Sequence, residues 1–134
     1  MKKLLLVLLL ASPLISRSQS VKFRIIDAVE VKNQFEKEAL YFYDQNWKLF
    51  REEALKQGVI SGYSIERGTK SDSSFVIVLN TEFENRGQLE NVEKNFEPIL
   101  KALRPDGPLV LGDGNYRNYV ISRNSYWTEV ISSD

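Results

Sequence analysis

The sequence predicts an α+β domain: a four-stranded antiparallel sheet with both helices on one face, in the order β-α-β-β-α-β. Three observations predict it. Residues 34–57 and 86–102 carry apolar side chains at helical spacing. Strand-like runs rich in Val, Ile, Phe and Tyr flank and separate them. One of those runs, 75–79, is apolar without alternation, as a strand buried on both faces is.

The elements follow in chain order. Lys2 and Lys3 precede an apolar run, 4–11, that Ser12 and Pro13 break, with Ser16, Ser18 and Ser20 beyond. This reads as a signal peptide, 1–18, cut after Ser18 or, nearly as well, after Ser20. The run is far shorter than the about 20 residues that cross a bilayer, and no Cys offers a site for lipid attachment. Residues 19–134 then form a single domain. Its first strand is 21–31. Asn33, with Glu36 three residues on, suits a capping box for a helix over 34–57, and Gly58 suits its C-terminal cap. On a regular wheel Phe35, Ala39, Tyr43, Trp47, Phe50 and Ala54 fall on one half, with Lys37, Asp44, Lys48 and Glu52 opposite. Strands 60–67 and 75–83 flank a polar hairpin loop. The second helix covers 86–102, and Pro98 is expected to kink it or to start a separate last turn. A Pro- and Gly-rich loop, 104–114, contains Leu109, Val110 and Leu111, an apolar triplet expected to tuck down as a plug. The last strand is 118–130.

Composition removes whole classes of chemistry. The chain has no His and no Cys. That leaves no thiolate nucleophile, no imidazole base, no His ligand for haem, zinc or copper, and no disulfide. No Gly-rich phosphate loop occurs, no carboxylate spacing matches a calcium loop, and no cofactor is indicated. Basic and acidic residues balance at 18 each. Loss of 1–18 removes Lys2, Lys3 and Arg17 and no acid, leaving a mildly acidic chain without a basic run. Nucleic acid is therefore not an expected partner, nor is a membrane after cleavage.

One anomaly sits on the first helix. Asn46 and Glu53, two turns apart, lie inside the apolar half of the wheel. A carboxylate there needs a partner or a wet cavity. Arg123, in the mixed last strand, is the best partner, and Arg117 is similar but nearer the loop. If there is a cavity, Tyr43, Trp47, Tyr63 and Trp127 line it. The plainer reading of these aromatics is core packing.

The order of elements, together with Trp47-Lys48, Glu52-Glu53, Gly58, Gly62-Tyr63, Asn80 to Phe83, Arg117 and the segment 123–127, resembles the dimeric α+β barrel superfamily. The closest likeness is to small exported bacterial proteins of unassigned activity. Such proteins often carry an acid where Tyr43 stands and a His where Arg51 stands. The resemblance implies a ferredoxin-like subunit that pairs sheet to sheet with a second copy, which the doubly apolar run 75–79 also requires. Three functions stay open. The first is an exported homodimer binding a small apolar or aromatic molecule between helix and sheet, in the periplasm or outside the cell. The second is a cofactor-independent monooxygenase or isomerase. The third is an interaction module without ligand.

Overall fold

The computed structural model describes residues 22–112 and 114–131. The expected signal peptide lies outside the described residues. Four strands, β1 (Phe23–Lys32), β2 (Gly62–Thr69), β3 (Ser74–Phe83) and β4 (Val120–Glu129), form one sheet in the order β2-β3-β1-β4. Every neighbouring pair is antiparallel. The first helix, α1, runs through Glu36–Phe42, Tyr43–Lys48 and Leu49–Lys56, with the middle segment wound as a π-helix. Two helices follow β3: α2 (Arg86–Glu90) and α3 (Val92–Leu103). This is the ferredoxin-like βαββαβ arrangement that the sequence predicts.

Strand alternation sets the two faces of the sheet. Val29 and Val31 of β1 and Phe75, Ile77 and Leu79 of β3 pack against Ala39, Tyr43 and Trp47 of α1. A second cluster joins Phe50 and Ala54 of α1, Phe83 of β3, Leu89 of α2, and Phe96 and Ile99 of α3. The intervening strand residues, Ile26 and Ala28 on β1 and Val76 and Val78 on β3, face away from the helices. The run 75–79 is thus apolar on both sides. Polar pairs bracket that outer stripe. Glu30 holds Lys70 at 2.5 Å and accepts from Ser74 at 2.8 Å, and Arg24 pairs with Glu82 at 3.5 Å. The hydrogen bond from Lys70, more than those from Ser74 and Ser122, keeps the Glu30 carboxyl below its usual range. Gly62 lies opposite Glu82, where a Cβ would come within 2.6 Å of the carboxylate.

Several local expectations are corrected. Asn33 does not cap α1. It opens a 3-10 turn, Asn33–Phe35, and its amide donates 2.9 Å to the Asp72 carbonyl, tying β1 to the hairpin loop. Side-chain capping is found on α2 instead. Asn85 accepts from the Gln88 N–H at 2.9 Å, and the Gln88 side chain accepts from the Glu84 N–H at 2.8 Å. The break in the second helical region falls at Asn91, not at Pro98, which lies inside α3. Pro98 is exposed, as is Lys94, whose carbonyl loses its partner there, so water can serve it. Gly58 does end α1, at φ +70.

Trp47 is buried, stacks edge-on against Tyr63 with ring centroids 6.0 Å apart, and belongs to the first core cluster. Trp47→Ala is expected to cost about 3–5 kcal/mol in urea unfolding, the range for a large aromatic truncated in a core. An unchanged midpoint would mean that α1 is rotated from this position.

Candidate functional site

The cleft between α1, α3 and β4 has a volume of about 630 Å³. Phe42, Trp47 and Phe50 of α1 form one wall, Val92, Phe96 and Leu100 of α3 the other, and Pro108 an end. Asn46, Arg51 and Arg123 supply its polar groups, and Glu93, Glu97 and Lys101 also line it. The cleft exists because the helices leave β4 uncovered. On the helix side of that edge strand, Arg123 and Trp127 are mostly exposed, at 59% and 61%.

The π-helical segment decides which α1 side chains reach this site. A π turn closes on the fifth residue instead of the fourth, so one extra residue enters the turn. Every later side chain is then rotated by about one residue, or 100°, from its place on a regular wheel. Arg51, which a regular wheel puts at the edge of the apolar half, swings inward. Its guanidinium carbon lies 4.3 Å from the Trp47 ring centroid and 4.6 Å from that of Phe96. Its Nε donates to the Thr81 hydroxyl at 3.2 Å. Burial pulls its pKa down to about 10, against the pull of Asp27 and with a small push from Arg123. The group remains a cation at neutral pH.

Glu53 swings the other way, which corrects the expectation that it faces the cleft or pairs with Arg123. It accepts from Gln57 at 3.0 Å, lies 3.9 Å from Lys56, and lines no part of the cleft. Arg123 instead sits 3.5 Å from Asp27 of β1. The Asp27 side chain is only 8% exposed, and its Oδ1 has no hydrogen-bond partner.

Asn46 is buried, and its role is to hold the loop after α3. Its amide nitrogen donates to the Leu109 carbonyl at 2.7 Å and to Phe42 at 2.8 Å. Its oxygen accepts from the Leu109 N–H at 2.8 Å and from Arg104 Nε at 3.3 Å. Leu109 and Val110 themselves are exposed, at 43% and 37%. The apolar triplet is therefore not a plug; the loop is anchored through its main chain.

Of the residues singled out from sequence, Asn46, Trp47 and Arg123 meet at the cleft. Tyr43 and Tyr63 pack beside it in the core. Trp127 lines a smaller hollow with Phe23, Arg86 and Leu89. Arg117 lies in a 3-10 turn, Tyr116–Asn118, outside the cleft. Arg51, Phe96 and Asp27 escaped the sequence reading. Asp27 had a signal, since it shares the strand face of Ile25 and Val29. Tyr116 also escaped. Its hydroxyl bonds that of Tyr43, and its ring lies 5.1 Å from Tyr119 and 4.4 Å from Phe42. Burial raises the pKa of all three tyrosines, that of Tyr119 to about 12. Among the described residues no group of three or more His, Cys, Asp or Glu could hold a metal, and no helix is long and apolar enough to cross a membrane.

Two outcomes are expected. Asp27→Asn should destabilise the fold by about 1–3 kcal/mol, because it removes the buried negative charge that faces Arg51 and Arg123. Glu53→Gln should change stability by less than about 0.5 kcal/mol, as a surface exchange does. Urea unfolding of the two variants checks this, and the reverse order would put Glu53 inside. The tyrosines give a pH dependence. Their folded pKa values lie above the unfolded value of about 10, so the folded state disfavours the phenolate. Stability is unaffected below about pH 10 and falls as pH rises toward about 12. Urea midpoints measured from pH 8 upward, with phenolate absorbance followed in parallel, test it. Ionisation of Tyr43, Tyr116 and Tyr119 in the folded protein near pH 10 would contradict it.

No family model matches the chain, and no curated protein matches it in sequence. Among solved structures, one similar chain is a candidate antibiotic biosynthesis monooxygenase from Bacillus cereus, with a TM-score of 0.49 and 12% identity over 86% of this chain and 98% of that one. The strand order and register stand apart from that similarity. By them, the chain is a ferredoxin-like α+β domain.

Proposed function

We propose that this chain is an exported homodimeric domain that binds a small apolar or aromatic molecule in the cleft between α1, α3 and β4. The observation that carries the reading is the cleft itself. Its volume of about 630 Å³ is in the range of small-molecule sites, and its walls are apolar with a few polar side chains among them. Export is supported by the Lys2-Lys3 segment and the short apolar run after it. Dimerisation is supported by the outer stripe of Ile26, Ala28, Val76 and Val78, which a second copy would cover.

A second reading, a cofactor-independent monooxygenase or isomerase, is favoured by Asp27. Asp27 is a nearly buried carboxylate, ion-paired at 3.5 Å with an arginine of the cleft, and its Oδ1 accepts no hydrogen bond, so it is open to take a proton. Turnover of a bound aromatic or carbonyl compound separates the two readings.

Trp47 and Trp127 are the two tryptophans, and Trp47 lines the cleft. In Trp127→Phe, Trp47 is the sole indole reporter. Naphthalene-sized aromatics should quench its fluorescence saturably, and Val92→Phe, which fills the cleft, should abolish the effect. Native mass spectrometry of the mature protein should show a dimer. Absence of quenching by any of them would remove the binding reading, and a monomer would remove the dimer.

A further inference from the structure

Two guanidiniums reach a largely apolar cleft. Arg51 and Arg123 both line it. One buried carboxylate, Asp27, stands against the pair: it lies 3.5 Å from Arg123, and its field acts on Arg51. Glu97 is taken by Lys101 at 2.6 Å, and Glu93 is exposed, where water screens it. Arg51 is partly buried, and Arg123, 59% exposed, stands in water. An anion that displaces this water meets both cations as charge-assisted donors.

The donors are also free and already aimed. Arg51 uses Nε on Thr81, and its terminal N–H groups have no hydrogen-bond partner among the described residues. Arg51 lines the cleft, so a ligand there can meet them. The rings of Trp47 and Phe96 fix the plane of the guanidinium before any ligand arrives. A rigid planar fork matches a carboxylate, two N–H groups to two oxygens. A phosphate dianion would bring a second negative charge up to Asp27.

Resting on the proposed small-molecule binding, we propose that the ligand is a carboxylic acid with an aromatic or branched apolar body. Arg51 and Arg123 hold its carboxylate, and Phe42, Phe50, Val92 and Leu100 take the body.

The test is calorimetric titration of the full mature protein with 2-naphthoate, 2-naphthamide and 2-naphthyl phosphate, which share one apolar body. Naphthoate should bind roughly tenfold or more tightly than the neutral amide, the strength of a charge-assisted hydrogen bond. Arg123→Gln and Arg51→Met should each cut naphthoate affinity more than amide affinity. Arg123 is largely exposed, so its variant carries the test even where Arg51→Met fails to fold. Equal binding of acid and amide, or a preference that survives Arg123→Gln, would overturn the acid assignment and leave the cleft as a binding site. Tighter binding of the phosphate would overturn the choice of carboxylate. Binding of none of the three would take the binding reading down with it.

Discussion

A guanidinium inside the domain governs the arrangement of the rest. The two halves of the core meet at Arg51. Trp47, one of the rings against it, belongs to the first cluster, and Phe96, the other, to the second. Taking such a cation out of water costs several kcal/mol unless its surroundings compensate. Here two ring faces, the Thr81 hydroxyl and the field of Asp27 do so. Thr81 and Asp27 are the polar residues of the helix-side sheet surface that this needs, and both are buried. The seam between the clusters is polar because one arginine passes through it.

How Arg51 gets there explains what could be read from the sequence and what could not. The sheet was legible, because a period of two leaves little choice of face: Val29, Val31, Phe75, Ile77 and Leu79 point where alternation puts them. The phase of α1 was legible for its apolar residues, Trp47, Phe50 and Ala54 among them, but not for Arg51 and Glu53. A π turn leaves no local signature in Tyr43–Lys48, since it is stabilised by what the rotated side chains then touch. A regular wheel therefore put Glu53 in the interior, although Gln57 and Lys56 hold it outside. The loop after α3 was misread for a related reason. Hydropathy speaks about side chains, and the contact that fixes Leu109 is made by its main chain.

The edge position of β4 has a second effect. Strands β1 and β3 bury one face under the helices, but β4 keeps both faces largely open, with Tyr126 at 55% and Trp127 at 61% exposure. One side of the candidate site is thus a strand with a single neighbour, β1. Edge strands with a run of accessible large side chains need cover or charge to stay separate from other chains. Arg123 serves both ends at once, as a charge on that edge and as a polar group of the cleft.

Asn46 grips the cleft-side loop by one amide, which reads the Leu109 N–H and C=O as a neighbouring strand would. Such a grip is blind to side chains. Residues around Pro108, which closes one end of the cavity, can therefore be exchanged over evolutionary time while the tether stays in register. The scaffold separates what the loop is from where the loop sits. A lineage with this asparagine could retune the size and polarity of its cavity by drift at a few exposed positions, with no compensating change in the core.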